Sequence, residues 1–381
     1  MMRAWIKILA IALLISGCGE EKTAPTKTGL ELEVKTFADL PDWNKDNQGE
    51  ALDAYKLSCG ALAANTSEYL GNAEIKIKTA DYLRLCNQAQ NLDRHQFRIF
   101  LENNFTPYLV TYNGKAEGKF TAYYEPVLRV SYKQDDNYRF PIHAKPLDLI
   151  EFNPHDFDKS MPSKRLIGRV QGQKLVPYFS RREIETGNGK IPVLLWADNP
   201  VDVFVMHIQG PAVAVLPDGN QIRISYADTN GREFKGIGSI LLSKGELKPG
   251  EASMGSIKKW LFKHPEKAAE YMRENPRYVF HRLIGATGPL GAMGQPLTAG
   301  RSLAVDKSYI PLGALLWLNT TDPHGSPLNK LVNAQDVGGA IKGAIRGDYY
   351  WGSGGDDILE QAGRMNSTGR YYILLPKIEK D

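Results

Sequence analysis

Two acids near the C-terminus carry the most evident chemistry. In the run NAQDVGGAIKGAIRGDYYWGSGG, Asp336 and Asp348 stand among closely spaced glycines, and Tyr349, Tyr350 and Trp351 directly follow the second acid. Glycine costs about 1 kcal/mol in a helix interior and serves where backbone turns sharply or approaches a ligand. The segment therefore reads as a loop that lines a site. Flat rings pack on pyranose faces, and a carboxyl group shielded from water keeps its proton closer to neutral pH, so the combination suits acid-catalysed cleavage of a sugar chain. A glycine-rich surface turn carrying solvated aspartates is the plain alternative.

The chain of 381 residues carries 47 basic and 43 acidic side chains, a formal charge of +4. That balance provides no field for a nucleic-acid partner. At the N-terminus, Arg3 and Lys7 precede the apolar run Ile8–Ile15, which ends in Ser16, Gly17 and Cys18. This is the pattern of a lipoprotein signal peptide over 1–17, with lipidation at Cys18. Residues 18–29 are polar, without apolar period, and read as a lipidated tether reaching roughly 35–40 Å when stretched. Gly19 rather than aspartate after the cysteine points to the Gram-negative outer membrane, on the periplasmic side. Cys59 and Cys86 remain. A disulfide suits an exported chain, and two buried thiols on two helices would serve as well.

The elements that must position the acids come from periodicity. LELEVKTF alternates like a strand, whereas Gly49 to about Leu109 carries helical apolar faces, among them Tyr82, Leu85, Cys86 and Ala89. From about Gly118 short β-type runs follow one another: FTAYYEPVLRVSY, FPIHAKP, IPVLLWAD, VDVFVMHIQG, PAVAVLPDG and QIRISYAD. Such spacing predicts a barrel or sandwich rather than βαβ units. A helical stretch, MGSIKKWLFKHPEKAAEYMRENP, closes at Pro276, and β-type runs then return as SLAVD, GALLWLN, LVNAQD and RYYILLP.

Several stretches together, FTAYYEP at 120–126, HIQGP at 207–211, NPRYVFHR at 275–282 and PLTAGRSLAVDKSYIPLGALLWL at 296–318, lead into the acidic segment. With them the chain resembles the membrane-bound lytic murein transglycosylase A family. The resemblance covers nearly everything from Leu30 onward. It implies a mainly β fold with N-terminal helices. A double-psi β-barrel catalytic domain would form from 30–119 and 277–381, with a three-aspartate region at about 296–376. A smaller, barrel-like β domain would be inserted at 120–276, and glycan would lie in the groove between the two.

The same resemblance implies the reaction: cleavage of the β-1,4 bond between N-acetylmuramic acid and N-acetylglucosamine without water, leaving 1,6-anhydromuramic acid ends. One carboxyl group suffices, acting first as acid and then as base. By motif position that group is Asp348, with Asp336 orienting or tuning it and Asp306 as the third acid. Groove-lining candidates are Thr121, Tyr123, Glu125, Gln209, Asp306, Lys342 and Tyr349; strand alternation puts Thr121, Tyr123 and Glu125 on one face and Tyr124 on the other. His207 reads as a satisfied strand histidine. The implied partners are peptidoglycan glycan strands and the outer membrane through the lipid anchor, with cell-wall synthesis or division proteins as further candidates. No metal or other cofactor is expected: HExxH is absent, and the SIKK of Ser256–Lys259 lacks a supporting KTG downstream. Two rival readings use the same groove, a glycan-binding lipoprotein without turnover and a two-carboxylate hydrolase.

Overall fold

The computed structural model describes residues 28–71, 74–285 and 288–377; the leader read over 1–17, Cys18 and the tether up to Lys27 lie outside them. The fold is mainly β. Among the described residues no helix is long and apolar enough to cross a membrane. The helical stretch after Gly49 forms helices at Leu52–Leu62, Thr79–Gln90 and Phe97–Asn104, and the chain turns to strand already at Phe105. Their apolar faces bury Tyr55, Tyr82, Phe97 and Leu101. A disulfide between Cys59 and Cys86 ties the first two of these helices together.

The main sheet explains how distant segments meet. Leu30–Val34 pairs with Phe105–Tyr112, which pairs with Asn366–Pro376; Leu315–Thr321, Pro327–Asp336, Ser302–Val305, Arg346–Gly354 and Gly118–Ser131 follow in order. Asn366–Gly369 also pairs with the start of Gly118–Ser131, so the strand path returns on itself. Inside the returning strands lies the largest core, with Trp317, Leu318, Phe120, Tyr371 and Ile373 among its fully buried members.

Gly118–Ser131 is the hinge of the architecture. Its first part runs parallel to Arg346–Gly354. Beyond Val127 it pairs instead with Ala212–Val215, and further on with Val193–Ala197. One strand thus passes from the closed path into the second half of the molecule, where Gln221–Thr229 and Val279–Ile284 complete the sheet. Tyr124 points the opposite way from Tyr123 and enters a separate core with Phe204, Ile240, Trp260, Leu261 and Leu359, contributed by the helices Pro200–Gln209, Ile237–Ser243, Met254–Lys263 and Asp356–Ala362.

Two sequence expectations are corrected. VDVFVMHIQG is a helix over Pro200–Gln209, not a strand. Its β-branched residues favour strands in isolation, but Asn199 caps the N-terminus through Val201 N–H, Pro200 occupies the first turn, and Gly210 ends it at φ 98°. The helix is apolar nearly all round because it is buried nearly all round, and that erases its amphipathic signature. Secondly, Asp336 ends the strand Pro327–Asp336 and Asp348 lies within Arg346–Gly354. The glycine-rich loop is only the stretch between them.

Candidate active site

The strand registers set the site. Asp348 is opposite Thr121 on one side and Ala304 on the other, and Ala304 is in turn opposite Asp336. Thr121, Asp348, Ala304 and Asp336 therefore form one row across adjacent strands, side chains on a common face. Neighbouring strands are about 4.8 Å apart, so the two acids stand roughly 10 Å apart at the backbone, with the small Ala304 between them. This row floors a cleft of about 680 Å³ lined further by Tyr123, Ile208, Gln209, Phe234, Arg277 and Arg346, and by the loop from Val337 to Ile341.

The two carboxyl groups are held differently. Asp336 has both oxygens engaged: Tyr123 Oη donates to Oδ2 at 2.9 Å, while the backbone N–H groups of Val337 and Ala292 donate to Oδ1 at 2.9 and 3.1 Å. Burial raises its pKa to about 6 against the pull of those three donors, and the neighbouring Asp348 adds to the rise. Asp348 Oδ1 accepts a hydrogen bond from Thr121 Oγ1. Among the described residues its Oδ2 has no protein partner and is open to the cleft. Burial also raises the Asp348 pKa, opposed by the Thr121 bond and by the charge of Arg346. Arg346 Nη2 donates to Thr121 Oγ1 at 2.7 Å, so guanidinium, hydroxyl and carboxyl form a short relay.

Of the residues expected from sequence, Thr121, Tyr123, Gln209, Asp336 and Asp348 meet in the cleft. The other four lie outside its lining. Glu125 is fully buried behind the floor, paired with Arg223 and accepting from Ser353 Oγ. It stands opposite Ser353, past a bulge in the neighbouring strand between Tyr350 and Ser353, and alternation alone could not foresee that its carboxyl is taken up by these partners. Tyr349 packs in the main core and donates to Gly300 O at 3.0 Å. Tyr350 is buried as well, so the aromatic run supports the strand and does not face the cleft. Asp306 accepts from the backbone N–H groups of Ser308 (3.1 Å) and Gly343 (2.9 Å); burial pushes its pKa up, but these donors win and keep it low. It clamps the base of the cleft loop. Lys342 points outward on that loop.

Sequence reasoning passed over Arg346, Arg277 and Phe234, and it read His207 as a strand residue away from the site. Arg346 was within reach, since it lies two residues before Asp348 on the same strand and shares its face. His207 is a helix residue at the cleft wall. Arg181 Nη2 donates to its Nδ1 at 3.0 Å, and a guanidinium can only donate, so the neutral ring carries its proton on Nε2. Burial and the Arg181 charge hold its pKa well below the usual range. Phe234 is about half exposed at the cleft (48%) and is the aromatic surface that the reading had sought in Tyr349. Among the described residues no group of acids, histidines or cysteines is arranged to hold a metal.

This row of acids lies in a recognised sequence frame. The model of the MltA specific insert domain matches residues 119–282, and that of the 3D domain matches 301–375. Membrane-bound lytic murein transglycosylase A of Escherichia coli K12 is 27% identical over 392 residues, covering 98% of this chain and 97% of the relative. The crystal structure of MltA from Neisseria gonorrhoeae is 34% identical, with a TM-score of 0.78 and 94% of each chain covered. E. coli MltA with bound chitohexaose is 25% identical, with a TM-score of 0.67 and 93% and 97% of the two chains covered. Since the likeness to the gonococcal protein spans almost the whole of both chains, and both domain models match in order around the cleft, this chain belongs to the membrane-bound lytic murein transglycosylase A family.

Proposed function

We propose that this protein is a peptidoglycan lytic transglycosylase. It cleaves the β-1,4 bond between N-acetylmuramic acid and N-acetylglucosamine without water, leaving a 1,6-anhydromuramoyl end, with Asp348 as the single acid and base. The observation that carries this assignment is the asymmetry of the two acids. Asp336 has both oxygens engaged by three donors, whereas Asp348 keeps Oδ2 open to the cleft. A buried carboxyl group with raised pKa holds its proton at that oxygen and delivers it to the glycosidic oxygen as the bond to the anomeric carbon breaks. The sugar's N-acetyl carbonyl supports the oxocarbenium-like centre. The ionised Asp348 then takes the proton of the C6 hydroxyl as that oxygen closes on the anomeric carbon. Proton count and bond count balance with no co-reactant. Thr121 and Arg346 stabilise the carboxylate stage, and burial keeps the Asp348 pKa up.

Asp348→Asn keeps the shape and removes the proton. Release of murein fragments from sacculi should fall by about 10²- to 10⁴-fold, and near wild-type release would end the assignment. Product analysis separates the rivals: anhydro ends mean transglycosylation, reducing ends hydrolysis, and binding without release a glycan-binding role. Hydrolysis would need a second carboxylate free to activate water, a part for which Asp336, with both oxygens engaged, is poorly placed.

The returning strand path supports a double-psi barrel built from 30–119 and 277–381, with 120–276 as the inserted domain. Substrate strands of peptidoglycan would thread the cleft between them, with Thr121, Tyr123 and Gln209 along the way. The N-terminal sequence supports a lipid on Cys18 and an outer-membrane, periplasm-facing location; mass spectrometry of the N-terminal peptide tests it.

A further inference from the structure

The cleft contains a cation for which neither the acids nor the fold has a use. Arg277 lines the cleft, half-buried, and among the described residues its guanidinium makes no hydrogen bond or ion pair. Its backbone, by contrast, is fixed at both ends: N–H donates to the buried Asn275 Oδ1 at 3.2 Å, and the carbonyl accepts from the buried Arg181 Nη2 at 3.0 Å. The side chain reaches the facing loop, where a Cβ built on Gly339 would stand 3.8 Å from Nη1. It is not placed to tune catalysis, because Arg346 is the cation that acts on Asp348. Glu233 lines the same cleft but is exposed and forms no ion pair with it. A guanidinium held on a fixed backbone and left without a counter-ion in a cleft has the geometry to take a carboxylate in a two-pronged pair.

Chitin and murein differ at one substituent. Every second sugar of murein carries a lactyl ether, which bears either a free carboxylate or a peptide stem with carboxylates of its own; chitin is neutral throughout. E. coli MltA binds chitohexaose, a neutral glycan without any carboxylate. We infer that Arg277 binds a carboxylate carried by the muramoyl substituent and is the residue by which this cleft prefers murein to neutral β-1,4 glycans. The half-exposed Phe234 beside it offers an apolar wall against which the substituent or a sugar face can rest.

This inference rests on the glycan-cleaving reading of the cleft, so its test reads binding rather than turnover. In the full chain carrying Asp348→Asn, affinities are measured for stem-bearing murein strands, for strands stripped of their stems by an amidase, and for chitohexaose. Each is repeated with Arg277→Gln and Arg277→Lys added. Loss of one charge-assisted contact should weaken at least one kind of murein strand roughly tenfold on Arg277→Gln and leave chitohexaose unchanged, with Arg277→Lys recovering part of the loss. If only stem-bearing strands weaken, a carboxylate of the stem is the ligand; if only stripped strands weaken, it is the lactyl carboxylate, which is tied up in an amide while the stem is attached; if both weaken, Arg277 takes whichever carboxylate the muramoyl sugar presents. Equal weakening of all three ligands, or of none, overturns the inference. Failure of the Asp348-intact protein to release anhydro ends would instead overturn the catalytic reading, whatever the affinities show.

Discussion

At the scale of single residues, one hydroxyl tunes the proposed acid. Thr121 Oγ1 donates to Asp348 and so favours the carboxylate, while burial favours the protonated acid; burial prevails, and the pKa is raised. Thr121→Val keeps the shape and removes the donor. The Asp348 pKa should then rise further, so the proton-bearing form persists to higher pH and the alkaline limb of the murein-cleavage profile moves upward. The maximal rate should fall, because the second step needs the carboxylate that Thr121 stabilised. A profile measured on sacculi between pH 5 and 9 checks this, and an alkaline limb that stays put or moves down would contradict it. Asp306 shows the converse. Its backbone donors hold it ionised, and it is a clamp for the loop rather than a proton donor.

At the scale of elements, the site is a consequence of register. Ala304, 3% exposed, is the only side chain separating the two acids along the row, and it packs with Tyr123, Leu297, Ile341 and Tyr350. Ala304→Leu inserts three carbons between the carboxyl groups. Overpacking should cost about 1–3 kcal/mol in a thermal or urea melt, and murein release should fall at least as far as for Asp348→Asn. A folded Ala304→Leu protein with full turnover would show that the acids do not act over this strand. Much of this was legible in the chain. Alternating runs marked most strands, and motif position pointed to the two acids that the structure brings into one cleft. What was not legible was the face each segment presents. Thr121 and Asp348 meet across 227 positions, and no local pattern fixes a parallel register at that distance. The three aromatic residues after Asp348 looked like a sugar platform, yet Tyr349 and Tyr350 are buried, Trp351 packs half-buried against the cores, and the exposed ring comes from Phe234 in the other half. The helix Pro200–Gln209 was read as a strand because burial on all sides removed its period, although Asn199 and Pro200 carried a start signal.

At the scale of the whole molecule, the strands that floor the cleft are held by a segment that is far away in sequence. Arg301, immediately before Ser302–Val305, grips Asp46 in a two-pronged pair: Nη1 to Oδ2 at 2.7 Å and Nη2 to Oδ1 at 2.9 Å. Nη2 also reaches Asn47 O (2.9 Å) and Glu50 Oε2 (2.6 Å). Leu331 N–H and Lys330 Nζ complete the shell of Asp46, so one buried carboxylate fastens the N-terminal segment to the strands that carry Ala304 and Asp336. Burial pushes the Asp46 pKa up, but the Arg301 bonds and charge outweigh it and the pKa is lowered. A carboxylate with a lowered folded-state pKa stabilises the fold above its unfolded value of about 3.9, and that stabilisation is lost as pH falls through the folded value. Arg301→Met leaves Asp46 buried with its main partner gone. The cost should be about 3–5 kcal/mol at pH 7 and should shrink toward pH 5, where Asp46 can now take up a proton. Adding Asp46→Leu to Arg301→Met should recover much of the loss at pH 7, because no uncompensated charge then remains inside. Urea melts of the single and double variants at both pH values decide the matter: a cost below about 1 kcal/mol, or one independent of pH, would mean that the N-terminal segment is held by its apolar contacts alone.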